Sequence, residues 1–145
     1  MQMIDSFSYQ CGLIDSLNQM VAAGIRSLAL TPPLKQKAER DALIDYAKES
    51  CRRHGTKLYP EDDLLTTDLF PLSMTRGRFN ILFYQADHVI EEYIRLKNRK
   101  ESTVASRAYF GGNRSRLALE FGRLLSYPED TIQRLIRENT ERETV

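Results

Sequence analysis

The chain has 145 residues, of which 21 are basic and 20 acidic, for a formal net charge of +1; 41% are apolar and 28% charged. These proportions fit one folded domain with room for one packed core. They exclude a strongly basic nucleic-acid binder, which would show a marked positive excess or a basic stripe, and no run of 18 apolar residues exists to cross a bilayer.

In chain order, Phe7, Cys11, Ile14, Leu17 and Val21 recur at steps of three and four, which predicts a helix over Ile4 to Ala23, stopped by Gly24. Ser27 to Leu30 is short, apolar and bounded by Gly24 and Pro32, as a buried strand is. Thr31 before Pro32 and Pro33 reads as an N-cap for a second helix running to Arg53. That helix turns Leu34, Ala38, Leu43, Ala47 and Cys51 inward and ends at His54-Gly55. Lys57 to Tyr59 predicts a second strand, followed by an extended acidic stretch through Phe70. FNILFY, Phe79 to Tyr84, is dense in aromatic and branched residues and carries no charge, so it predicts a strand buried on both faces. A third helix starts near Asp87 and ends in the basic KNRK of Lys97 to Lys100, where the helix dipole favours cations. Val104 to Phe110 reads as a fourth strand. A fourth helix takes Leu117, Ala118, Phe121, Leu124 and Leu125 inward. After Pro128 a fifth starts with Glu129 and Asp130, and residues 139–145 read as a fraying tail.

Strands alternating with helices in this way predict a single layered α/β domain, with about four strands in a parallel or mixed sheet and about five helices. Ligands of open α/β sheets gather beyond the carboxyl ends of the strands. With all strands parallel, those ends would bring Thr31, the acidic Glu61-Asp62-Asp63, Asp87-His88 and the stretch from Gly111 to Arg116 to one rim.

On that rim Gly111 and Gly112 would let a ligand approach the backbone, and the following helix start would offer N–H groups to an anion. Asn113, Arg114, Ser115 and Arg116 complete this candidate ligand site, the arginines by bidentate bonds to phosphate or carboxylate. GGNRSR lacks the spacing of a dinucleotide fingerprint and the ending of a P-loop, so a strand-to-helix turn capped by Asn113 or Ser115 is the plainer alternative. Asp62, Asp63 and His88 are candidates for a hydrolase or phosphoryl-transfer centre, with His88 held neutral by a helix start. Asp62, Asp63 and Asp68 could hold a cation beside a phosphate, but the adjacent Asp62 and Asp63 would need a loop to converge and a solvated acidic loop is the plainer reading, so neither metal nor cofactor is expected. Leu58, Tyr59, Leu64, Leu65, Leu69, Phe70 and Leu72 could instead form a homodimer face. Cys11 and Cys51 read as buried thiols of a reducing compartment, and no secretion signal is evident, so the cytoplasm is the expected location.

Phe121 to Ile136, FGRLLSYPEDTIQRLI, resembles the closing signature of a prokaryotic family, domain of unknown function 483, whose pattern runs approximately G-x-L-L-G-Y-P. Gly122, Leu124, Leu125, Tyr127 and Pro128 match it. Ser126 stands in place of the usual glycine, and Glu129 and Asp130 replace cysteines that often follow. The resemblance implies no activity. Physically the stretch predicts a corner between two helices, anchored by Tyr127. The acids at the start of the second helix would repel phosphates, which argues against a DNA-reading helix-turn-helix. Taken together, the sequence favours a binding or regulatory module for a small anionic ligand or partner.

Overall fold

The structure is a computed structural model that describes residues 5–145; Ile4, read above as the first residue of helix one, lies outside them. It begins with α1 (Ser6–Ala22), whose N-terminus is capped by the Asp5 carboxylate accepting from the Phe7 and Ser8 amides. Phe7, placed above on the inward stripe, is 48% exposed. β1 (Leu28–Leu30) follows, then α2 (Lys37–Asp41), α3 (Ile44–His54) and β2 (Lys57–Glu61). A long connection holding only the single turn α4 (Leu72–Thr75) leads to β3 (Asn80–Tyr84). The chain closes with α5 (Asp87–Ala105), α6 (Gly111–Leu124) and α7 (Glu129–Glu138).

The sheet corrects the expectation of about four parallel or mixed strands. It has three strands in the order β1-β3-β2, both neighbours pair antiparallel to β3, and 57% of the described residues are helical. β1 and β2 run the same way, and β3 fills the gap between them, so helix–strand alternation misled. The expected fourth strand does not form. Val104 and Ala105 extend α5, Arg107 turns the chain with φ 59, and Tyr109 drops into the core. The second helix splits in two at Ala42 and Leu43. Thr31 caps no helix: its Oγ1 accepts the Ile81 amide and so prolongs the β1–β3 pairing.

FNILFY behaves as its composition dictates, since Asn80 to Tyr84 are all buried. Side chains alternate across the sheet with period two. Ala29, Ile81 and Phe83 pack with Ile14, Val21 and Ala47 of α1 and α3 on one face. Leu28, Leu82 and Tyr84 pack with α5, α6, α7 and Leu64, Leu65 and Leu69 on the other. The register keeps like with like, with Leu28 opposite Tyr84 and Ala29 opposite Phe83. Pro60 is tolerated in β2 because that strand lies at an edge. The seven residues read as a homodimer face do not form an exposed apolar patch: Leu64, Leu65 and Leu69 are buried, and the other four are half-buried.

Arg40 joins the sheet to α2, where Ala38 had been expected to face inward. Its side chain is 2% exposed and donates to the Glu61 and Asn80 carbonyls at 2.9 and 3.0 Å, and to Asp62 at 2.5 Å. At the other end of the molecule Gly122 and Tyr127 form the expected corner. Ser126 has φ 64, the conformation a glycine adopts without cost, and its Oγ accepts the Ser27 amide at 2.9 Å. Tyr127 packs edge-on against Phe70, and Arg26 lies over its ring.

Arg40→Ala should destabilise the fold by about 3 kcal/mol in urea unfolding, because two buried carbonyls lose their donor; a loss under about 1 kcal/mol would mean water replaces it. Gly122→Ala should cost about 1–3 kcal/mol, since a Cβ there would sit 2.6 Å from Ile132 Cγ1, a fully buried and branched neighbour. In an Ile132→Ala background, which removes the clashing atoms, the same change should cost less.

Candidate functional site

The antiparallel sheet divides the proposed rim. The ends of β1 and β2 lie with the start of β3, while Tyr84 lies with Leu28 and Lys57 at the opposite edge. Asp62 and Asp63 therefore stand at one edge of the sheet and Asp87-His88 at the other. Asp62 is bonded to Arg40 and Lys37, and the Arg40 bond holds its carboxyl below the usual carboxylate range. Asp87 pairs with Lys57 at 2.5 Å. Asp68 is 46 residues from Arg114 in sequence and forms a bidentate pair with it, at 2.7 and 2.9 Å. Asp62, Asp87 and Asp68 are thus each paired with cations of their own. Among the described residues no group of three or more His, Cys, Asp or Glu side chains is placed to share a metal ion, and no helix is long and apolar enough to cross a membrane.

The two-glycine bend starts α6. Gly111 has φ 54, so the absence of a Cβ is what lets the chain turn there. No side chain caps the helix start. Asn113 donates to the Ala108 carbonyl and Ser115 to the Gly111 carbonyl, so both bond backward rather than outward. Gly112 and Arg116 are exposed. Of the six residues from Gly111 to Arg116, only Arg114 is drawn into a larger charged assembly.

That assembly borders a groove of about 620 Å³ along the outer face of α5, within the range that holds small ligands. One wall is a stripe of α5, Ile94, Lys97, Asn98, Glu101 and Val104, spaced by three and four as one helix face requires. The facing wall is the connection from Asp63 to Thr66 and the turn at Arg76-Gly77, and Glu143 and Val145 close one side. A second cavity of about 380 Å³, lined by Arg107, Tyr109 and Phe110, shares Val104 and Val145 with it.

Buried polar bonds fix this wall to α5. Tyr93 donates to Glu61 at 2.6 Å and accepts the Leu65 amide at 2.9 Å. Lys97 donates to Glu61 at 3.0 Å and to the Asp63 carbonyl at 2.6 Å. Burial, and then the Glu61 charge, hold the Tyr93 phenol well above its usual range, so it stays a donor.

Three cations from three elements converge on Glu143. Lys100 of α5 meets its carboxylate at 2.6 Å, and Arg76, just after α4, at 3.8 Å. Arg114 of α6 donates to its carbonyl at 2.7 Å while locked by Asp68. Lys100 and Arg114 also lie over the Tyr109 ring, 5.5 and 4.8 Å from its centroid. Residues 139–145, read as a fraying tail, are tied down here. Sequence reasoning missed Arg76, Lys97, Lys100 and Glu143. The signal for the lysines was present, since positions 93, 97, 100 and 104 continue one helical stripe.

The chain matches no protein-family model, no curated protein and no solved structure.

Tyr109 gives a test of this region. It is 4% exposed and its hydroxyl has no hydrogen-bond partner. Burial first, and then the Asp68 charge, push its phenol up to about 12. A tyrosine raised above its unfolded value of about 10 contributes fully below that pH and loses its contribution as pH climbs toward 12. Tyr109→Phe should therefore be neutral or stabilising by about 1 kcal/mol at pH 7, and should flatten the fall in stability between about pH 10 and 12. A clear loss of stability at pH 7 would contradict the unpartnered hydroxyl.

Proposed function

We propose that the chain is a binding or regulatory module for a small, multiply anionic molecule, a carboxylate or phosphate compound, taken up in the groove along α5. The observation that carries this reading is the convergence of Arg76, Lys100 and Arg114 on a single carboxylate-bearing residue at the wall of a cavity of ligand size. Arg76 and Lys100, which already meet one carboxylate from separate segments, have the spacing to hold another. Arg114 is stiffened by its bidentate bond to Asp68, and Lys97 is fixed by Glu61, so ordering these groups on a ligand costs little. Arg76 is the adaptable member, 66% exposed and loosely held. Apolar surface from Ile94 and Val104 would cover the body of the ligand.

The recognition site is thus the α5 groove rather than the Gly111 to Arg116 turn. A hydrolase or phosphoryl-transfer centre built on Asp62, Asp63 and His88 has no geometric support, because the sheet holds them at opposite edges.

A thermal-shift panel of carboxylated and phosphorylated metabolites tests the proposal. A ligand at about 100 times its dissociation constant should stabilise the protein by about 2.7 kcal/mol. Arg76→Ala should weaken that ligand by about tenfold or more while leaving the unliganded melting temperature nearly unchanged. A panel without any stabilising anion, or a ligand indifferent to Arg76→Ala, would refute it.

A further inference from the structure

We infer that residues 139–145 form a displaceable strap, and that Glu143 fills the anion site in cis until a ligand takes its place. The inference rests on the reading of the groove as an anion site and adds its regulation.

The strap is held by a different kind of bond from the rest of the chain. Past Glu138 it has no helix or strand. Asn139 is its fixed end, buried and donating to the Asp68 and Phe70 carbonyls at 3.0 and 3.2 Å. Beyond Asn139 only Glu143 is largely covered, its side chain 11% exposed, and Val145 is 63% exposed. Its contacts there are polar: the Leu72 amide donates to the Glu141 carbonyl at 3.1 Å, Ser73 donates to the Glu141 carboxylate, and Arg76, Lys100 and Arg114 hold Glu143. The exposed contacts have a modest net worth, whereas the Lys100–Glu143 pair, 16% and 11% exposed, would leave Lys100 unpaired if simply broken and so gives way only to another anion.

The geometry also makes docking and binding exclusive. Lys100 is 16% exposed and directed to Glu143, so it cannot serve an external carboxylate fully while that contact stands. A ligand that gives Arg76 and Lys100 two oxygens displaces the Glu143 carboxylate, and the strap loses its main attachment. Such competition lowers the apparent affinity by the fraction of molecules with the strap docked.

The experiment is isothermal titration with citrate and, separately, inorganic phosphate. It uses the full chain, Glu143→Ala and Glu143→Gln, with amide exchange at Leu72 followed in the unaltered protein. Both variants should bind the better probe at least tenfold more tightly than the parent, and saturating probe should speed exchange of the Leu72 amide. Binding by the variants alone supports the inference equally. If the parent binds, the variants bind no more tightly and the Leu72 amide stays protected, the strap inference fails while the groove reading stands. If no form of the chain binds either probe, the groove reading falls and takes the inference with it. Should a variant fail to fold, exchange at Leu72 in the parent decides alone.

Discussion

The fold depends on β3 lying between two strands that both oppose it. All five of its residues are buried, so each of its faces must be covered, and α1 with α3 covers one while α5, α6 and α7 cover the other. Its direction then sorts the chain ends: the tips of β1 and β2 go to one edge and the tip of β3 to the opposite one. A common ligand basin at the strand ends, as in a parallel sheet, is impossible with this pairing. A groove lies instead in the outer layer, where α5 overhangs the connection between β2 and β3.

That connection would be a loose surface loop if apolar contact alone held it. Buried polar groups make it a wall instead. Arg40 secures its start through two carbonyls, Tyr93 and Lys97 grip the following residues, Arg114 clamps Asp68, and Asn139 binds the carbonyls of Asp68 and Phe70. Apart from Arg114, which binds the Asp68 carboxylate, these side chains satisfy backbone that no helix or strand satisfies. The same side chains leave the cations of the groove in set positions. On the proposed reading, stability and recognition draw on one set of groups.

Much of this was legible in the residues, and the exceptions have physical causes. FNILFY declared itself because a strand covered on both faces needs mostly apolar side chains, and only Asn80 departs from that. The corner after Leu125 was equally plain, with Tyr127 and Pro128 in place. Strand direction was not legible, because pairing is decided between segments far apart in sequence. The run from Val104 to Phe110 misled because it joins the last turn of a helix to a bend and a buried tyrosine, and composition does not reveal the seam. The site was hidden for a related reason. Lys97 and Lys100 were explained as cations at a helix end, which was reasonable until α5 proved to run on to Ala105. Glu143 sat in a charged stretch with no pattern, and its bonds to Lys100 and Arg114 span 43 and 29 residues.

The central claim is where an anion binds, and chemical-shift mapping of backbone amides during a citrate titration addresses it most directly. The account expects shifts at Arg76, Gly77, Asn98, Glu101 and Glu143, around one groove. Shifts confined to Gly111 and Gly112, or to the strand tips at Thr31 and Asp62, would contradict it.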